Sequence, residues 1–290
     1  MKLGIGIIAW NRPHYLTRCL KSLKRNDLAD TEIHLFQDGN VCKFTNNILA
    51  DKLIIDESIA TFKKYDFANS YVHLQEKNVS IAINQYEASK FLSENYDAFI
   101  FLEEDVVVSN DFVSLMRNTL NLCKNTNIVC ISPGFQLLRK EESADSLKNI
   151  LEITEGHFWA EAIYSDRWRD VLVNYEPYYD IVNKTSYKTR SGKKITELFH
   201  KYHHNTSITS QDAGKDFAIR MSKYKRARFI VNRATGIGTT GFHNTPKKEK
   251  KVGDCNNEIF VDEGDRDIKQ LILVDLDSEL HYTLSELPLG

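Results

Sequence analysis

The 290-residue chain carries 38 lysines and arginines against 40 aspartates and glutamates, a formal charge of -2, so nothing global draws it to nucleic acid or to an anionic membrane. Hydrophobic residues at 42%, charged residues at 27% and aromatics at 11% are globular proportions and exclude a disordered or collagen-like chain. A chain of this length makes one large domain or two small ones and buries roughly 75% of its unfolded surface, enough to stand without disulfide or metal staples.

Leu3 to Ala9 is a short, continuously apolar run, the pattern of a strand buried on both faces of a parallel sheet. It is too short for a signal peptide, and it meets Asn11-Arg12-Pro13 without a small-residue cleavage site. Pro13 suits a first helical turn, and Tyr15, Leu16, Cys19, Leu20 and Leu23 repeat at helical spacing. A second strand, Ile33 to Phe36, stops at the turn formers Gln37-Asp38-Gly39-Asn40. Tyr71 to Leu74 predicts a third strand, about Ile81 to Leu92 a helix, and Ala98 to Leu102 a strong strand.

Strands alternating with helices predict an α/β fold whose ligands sit at the carboxyl ends of the strands. Three groups occupy those ends: Asn11-Arg12, Gln37-Asp38-Gly39 and Glu103-Glu104-Asp105. Further on come a strand at Ile128 to Ser132, an aromatic segment from His157 to Trp168, a polar loop from Asn183 to Lys194 and a helix near Asp212 to Ser222. Past His243, a charged run (Lys247 to Lys251) and strand-like runs at Ile259 to Val261 and Leu271 to Leu276 divide the chain into a main domain, 1–243, and an extension, 244–290. The extension is expected to dock across the domain or onto a second subunit, giving a homodimer.

Several features have plain explanations. Gly4-x-Gly6-x-x-Ala9 matches a dinucleotide fingerprint only formally, because its glycines lie inside the strand, where they allow close packing. The cysteines Cys19, Cys42, Cys123, Cys130 and Cys255 are odd in number and lack a Cys-x-x-Cys pair, as expected of reduced thiols in a cytosolic protein. His200, His203 and His204 fit no zinc spacing. The basic segments Lys184 to Lys194 and Lys223 to Arg228 read as solvated faces, with phosphate or a lipid-linked acceptor as the alternative. No apolar stretch approaches a membrane span, which limits membrane contact to the periphery.

Glu103-Glu104-Asp105 is different: three carboxylates crowded at the end of a buried strand repel one another. A hard divalent cation would relieve that repulsion and bind a diphosphate in turn; an exposed acidic turn is the bland alternative. His243 follows a glycine-rich stretch, Gly236 to Gly241, able to fold over a diphosphate, where the imidazole could meet metal or phosphate. Asp212 and Asp216 lie one helical turn apart and share a face.

Trp10-Asn11-Arg12-Pro13 together with the acidic triplet resembles the GT-A-fold glycosyltransferases. Gln37-Asp38-Gly39 is similar to the "QDG" segment of N-acetylglucosaminyltransferase I and its relatives, and the triplet to their Glu-Asp-Asp, with Glu104 a longer carboxylate. Phe158 to Trp168 resembles an aromatic segment of bacterial relatives, with Glu161 replacing an aromatic. Ser210-Gln211-Asp212, Val231 to Gly238 and Gly241-Phe242-His243 look like their "SWD…N…NIG…TH" ending, with Gln211 in place of tryptophan and Gly236 in place of asparagine.

The resemblance implies a GT-A mixed, mainly parallel sheet flanked by helices, carrying a metal-dependent, inverting transfer from a nucleotide sugar, with a UDP-sugar expected, to a glycan or lipid-linked glycan. Asp105 becomes the ligand of Mn2+ or Mg2+, and Glu103 and Glu104 face sugar and ribose hydroxyls. Asn11, Arg12 and Asp38 meet the base, Trp159 and Glu161 line the acceptor or sugar pocket, and Asp212 is the catalytic base, with Asp216 the alternative. Bacterial surface-polysaccharide synthesis in the cytoplasm, with peripheral contact at the inner membrane face, completes the expectation. Its rivals are a sugar-phosphate nucleotidyltransferase, which would need a glycine-rich loop after the first strand, and a non-catalytic sugar-nucleotide or glycan-binding module.

Overall fold

The computed structural model describes residues 1–134, 149–154 and 160–238, together with the backbone of 270–275 and 280–285. Trp159, His243, Cys255, the charged run Lys247 to Lys251, the run Ile259 to Val261 and the expected boundary after residue 243 lie outside the described residues.

In chain order β1 (Leu3–Ala9), α1 (Pro13–Leu23), β2 (Thr31–Gln37), α2 (Lys52–Lys64), β3 (Ser70–Leu74), α3 (Ile81–Asn95) and β4 (Ala98–Glu103) alternate strand and helix. All of β1 is buried because it is central, with β2 and β4 parallel on either side. A Cβ on Gly4 would meet the Tyr96 ring at 2.7 Å, and one on Gly6 the Leu92 side chain at 2.5 Å, so these glycines do admit close packing. α2 was not evident in the sequence: it buries only Ile55, Ser58 and Phe62, and Asp51 starts it by accepting from the Leu53 N–H.

The chain continues with β5 (Val106–Val108), α4 (Phe112–Leu122), β6 (Ile128–Ser132), β7 (Ile150–Thr154), β8 (Glu161–Tyr164), α5 (Ser165–Val182), α6 (Gly192–Lys201), α7 (Gln211–Arg220), β9 (Lys225–Phe229), β10 (Ala234–Gly236), β11 (Gln270–Asp275) and β12 (Leu280–Ser285). Two expectations change here. The polar loop ends early, because Ser191 caps α6 by accepting from the Lys194 N–H. The second basic segment is only in part a solvated face: Lys223 and Lys225 are exposed, but on β9 Arg226 is buried beside Glu161 and Arg228 bonds Glu152 at 2.9 Å.

Ten strands form one mixed, mainly parallel sheet in the order β12-β11-β7-β9-β6-β8-β4-β1-β2-β3. The antiparallel strand β8 sits between β4 and β6. α1, α2 and α4 bury their apolar stripes on one face, and α3, α5, α6 and α7 on the other, which makes the fold α/β with helices on both faces. Trp168, 2% exposed, packs edge-on against Phe99 as a core residue. β11 runs parallel to β7 and pairs with β12, at the opposite edge of the sheet from β3. No helix among the described residues is long and apolar enough to cross a membrane.

Candidate active site

The register of the central strands builds the site. Ala9 pairs with Gln37, and Ile8 with Glu103, so β1, β2 and β4 end level with one another. Two hydrogen bonds carry the alignment past the strand ends: the Asp38 N–H donates to the Ala9 carbonyl and the Glu104 N–H to the Ile8 carbonyl, each at 2.9 Å. The three polar groups singled out in the sequence therefore meet at one cleft of about 420 Å³, which Asn11, Arg12, Asp38, Glu103, Glu104 and Asp105 line together with Asp212.

Arg12 ties the acidic triplet together. Its Nε donates to Glu104 Oε1 at 2.6 Å and its Nη1 to Asp105 Oδ2 at 2.7 Å. Glu104 Oε2 accepts from the Trp10 N–H at 2.8 Å, so both its oxygens are committed within the protein. Burial pushes the Glu104 carboxyl up and Arg12 pulls it back. Glu103 makes no ion pair among the described residues; burial, Asp105 and Asp212, in that order, hold its carboxyl above the ordinary range, with Lys215 and Arg12 opposing them.

A second pairing closes the triplet from outside. The three valines after it form β5, antiparallel to β10, and the Ile237 N–H donates to the Asp105 carbonyl at 2.7 Å. This brings Gly238 so close that a Cβ there would lie 2.0 Å from Asp105 Oδ2. Gly238→Ala should therefore force Asp105 off Arg12 and destabilise the fold by about 1–3 kcal/mol, the usual cost of overpacking; thermal denaturation beside wild type checks it, and an unchanged melting temperature would count against this packing.

Asp38 is almost wholly buried, and its carboxylate is a clasp. Oδ1 accepts from the Gly39 and Val79 N–H groups, each at 2.9 Å, and Oδ2 from the Ser80 N–H at 3.1 Å. Ser80 opens α3 at φ 81°, a left-handed conformation that a non-glycine residue holds only under constraint. Burial pushes the Asp38 carboxyl up to about 7, against the three amides. Two amides on Oδ1 and one on Oδ2 leave Oδ2 a free lone pair, and Asp38 still reaches the cleft wall.

Asp212 lies in the first turn of α7, whose N-terminus Ser210 caps by accepting from the Ala213 N–H. A carboxylate there is favoured by the helix dipole. Its Oδ1 is shut off from solvent and lacks a hydrogen bond, while the side chain as a whole keeps 35% exposure and lines the cleft. Asp216 points elsewhere: it bonds Arg220 at 2.9 Å, lies 3.7 Å from His204 and 3.8 Å from Arg226, and does not line the cleft.

Glu161 is also off the cleft wall. It is 1% exposed, within 3.5 Å of the Arg226 guanidinium, and accepts from Ser132 Oγ at 3.4 Å. Glu161 thus makes a buried ion pair with β9 and does not face the cleft. Three other residues on or under the site were not anticipated: Asn84, which holds the Phe36 carbonyl at 3.1 Å; Tyr187, over whose ring Arg190 lies at 3.7 Å; and the buried Lys215. Nothing local in the sequence marks them. The described cysteines, Cys19, Cys42, Cys123 and Cys130, are free and buried.

No family model matches the chain, and no curated protein matches it. Among solved structures, residues 1–349 of TarS from S. aureus align at 10% identity and a TM-score of 0.47, over 82% of this chain and 61% of that one. GalNAc-T7 with UDP, GalNAc and Mn2+ aligns at 14% identity and 0.44, over 59% and 36%. The mannosyltransferase PcManGT from Pyrobaculum calidifontis, in complex with GDP-Man and Mn2+, aligns at 8% and 0.40, over 73% and 50%. The chain spans less than two thirds of the length of each.

Proposed function

We propose that the chain is a GT-A glycosyltransferase that moves a sugar, with inversion, from a nucleotide sugar to a hydroxyl of a glycan or lipid-linked glycan, a UDP-sugar being the expected donor. One observation carries this: the level ends of β1, β2 and β4 bring Arg12, Asp38 and the acidic triplet to the same cleft that receives Asp212 from the start of α7. The surface-polysaccharide setting, the peripheral membrane position and dimerisation through the extension rest on the sequence alone.

In direct displacement at the anomeric carbon, the acceptor hydroxyl loses its proton as the nucleoside diphosphate leaves. Asp212 takes that proton on its accessible oxygen. Arg12 fixes Glu104 and Asp105, and Glu103 is left to accept from sugar hydroxyls. Asp38, already held by three amides, has one lone pair for the ring N–H of uracil, a donor that cytosine lacks.

The triplet fits a divalent cation. Its donors are all carboxylate oxygens, the set that Mn2+ or Mg2+ takes. Among the described residues no three or more His, Cys, Asp or Glu side chains are arranged to hold a metal, so Asp105 would share the ion with water and the donor's phosphates. Bound there, the cation would neutralise the departing diphosphate.

A thermal-shift screen of UDP-, GDP-, CMP- and dTDP-sugars with and without Mn2+ tests the proposal, since a ligand of the native state raises the melting temperature. Stabilisation by a nucleotide sugar is expected, and none by any donor would refute it; binding without turnover would favour the non-catalytic module. Asp105→Asn should abolish most of the Mn2+-dependent shift, and an undiminished shift would remove Asp105 as the ligand. Asp38→Ala should weaken UDP by roughly tenfold or more, as a hydrogen bond to a charged group is lost; calorimetric titration of wild type with UDP and CDP should show a clear preference, and equal affinities would contradict the base-reading role.

A further inference from the structure

Lys215 is 4% exposed, on the inner side of α7. A buried ammonium is costly unless it is compensated, and a buried ion pair adds little net stability over an apolar side chain of similar size. Compensation of the buried Glu161 carboxylate accounts for a cation here but not for its contact with Asp212. The Lys215 Nζ lies 3.5 Å from Asp212 Oδ1, the oxygen that solvent cannot reach and that no hydrogen bond satisfies. Three residues apart on one helix, the two side chains share a face.

We infer that Lys215 positions the proposed base, its ammonium holding the inner oxygen of Asp212 so that the outer oxygen is presented to the cleft. The inference rests on the glycosyltransferase reading above. Lys215 lines a recess of about 10 Å³ beneath the sheet, outside the donor cleft, so it acts through Asp212 and touches no reacting atom. Among the described residues, the charged and titratable groups around the pair include Glu103 on β4, Cys130 on β6, Glu161 on β8, and Tyr175 and Tyr178 on α5. Glu161 lines the same recess and faces two cations, Lys215 and, at 3.5 Å, Arg226 on β9.

A double-mutant cycle separates positioning from packing. The full chain as wild type, Lys215→Met, Asp212→Asn and the double variant is assayed for nucleotide release from the donor that wild type turns over, with water as acceptor, and for donor affinity and melting temperature. Lys215→Met should lower kcat about 10–100-fold, the range seen when a group that orients a metal ligand is removed, with KM for the donor within about twofold. Lys215→Arg should restore most of the rate, and the double variant should be no slower than Asp212→Asn, because effects of groups that act as a unit do not add.

Full kcat in Lys215→Met, or losses that multiply in the double variant, would overturn the inference. Should Lys215→Met not fold, Lys215→Gln and Lys215→Arg carry the same comparison. If wild type neither binds nor turns over any donor, the glycosyltransferase reading fails, and the melting temperatures still decide the pairing: shifts that add across the four proteins refute it, and shifts that do not add support it.

Discussion

Replacing Asp212 with asparagine should lower turnover by about 10²–10⁴-fold, the range typical of a lost general base. The amide keeps the shape of the side chain and removes its ability to take a proton. Donor affinity should stay near wild type, because the base acts on the acceptor. Asp216→Asn is the control: Asp216 is held among Arg220, His204 and Arg226 and does not reach the cleft, so its loss should cost stability and leave most of the turnover. Steady-state rates and donor dissociation constants for both variants settle the order, and a dead Asp216→Asn beside an active Asp212→Asn would reverse it.

Arg12→Ala should have the largest effect on stability. Its guanidinium bonds Glu104 at 2.6 Å and Asp105 at 2.7 Å, with the Glu104 side chain 4% exposed. Removing one partner of such a pair leaves an uncompensated buried charge, a loss of about 3–5 kcal/mol. At roughly 2–4 °C for each kcal/mol in a chain of this size, the melting temperature should fall by several degrees to about 20 °C. Mn2+ should recover part of that loss in the variant, since a cation at Asp105 replaces the missing positive charge. A variant that melts like wild type, or that Mn2+ does not stabilise, would show that Arg12 is not the counter-charge of the triplet.

The half of the site on β1, β2 and β4 was legible because strands buried on both faces read as unbroken apolar runs, and the polar residues that interrupt those runs mark the ligand edge. Asn11, Arg12, Asp38 and the acidic triplet were found that way. What could not be read is non-local. The bonds from Asp38 to the Val79 and Ser80 amides span some forty positions, and the insertion of β8 between β4 and β6 depends on pairings absent from any local pattern.

Charged residues gave the least away. Arg226 reads as part of a solvated basic segment, since lysine and arginine are mostly exposed, yet it is buried beside Glu161, which comes from β8. Glu161 was assigned to the pocket through the resemblance of its aromatic segment, which carries no information on the buried Arg226 that faces it. α2 escaped notice because its apolar stripe is thin, with Leu53 exposed and only Ile55 and Phe62 packed among its large side chains.

The central claim is that the level ends of β1, β2 and β4 hold a nucleoside diphosphate through a cation at Asp105. Crystals grown with UDP and Mn2+, measured at the manganese absorption edge, test it most directly. The account predicts an anomalous peak within coordination distance of the Asp105 carboxylate, bridging to the phosphates, with uracil beside Asp38. UDP bound elsewhere on the chain, or seated in the cleft with no manganese at Asp105, would contradict it.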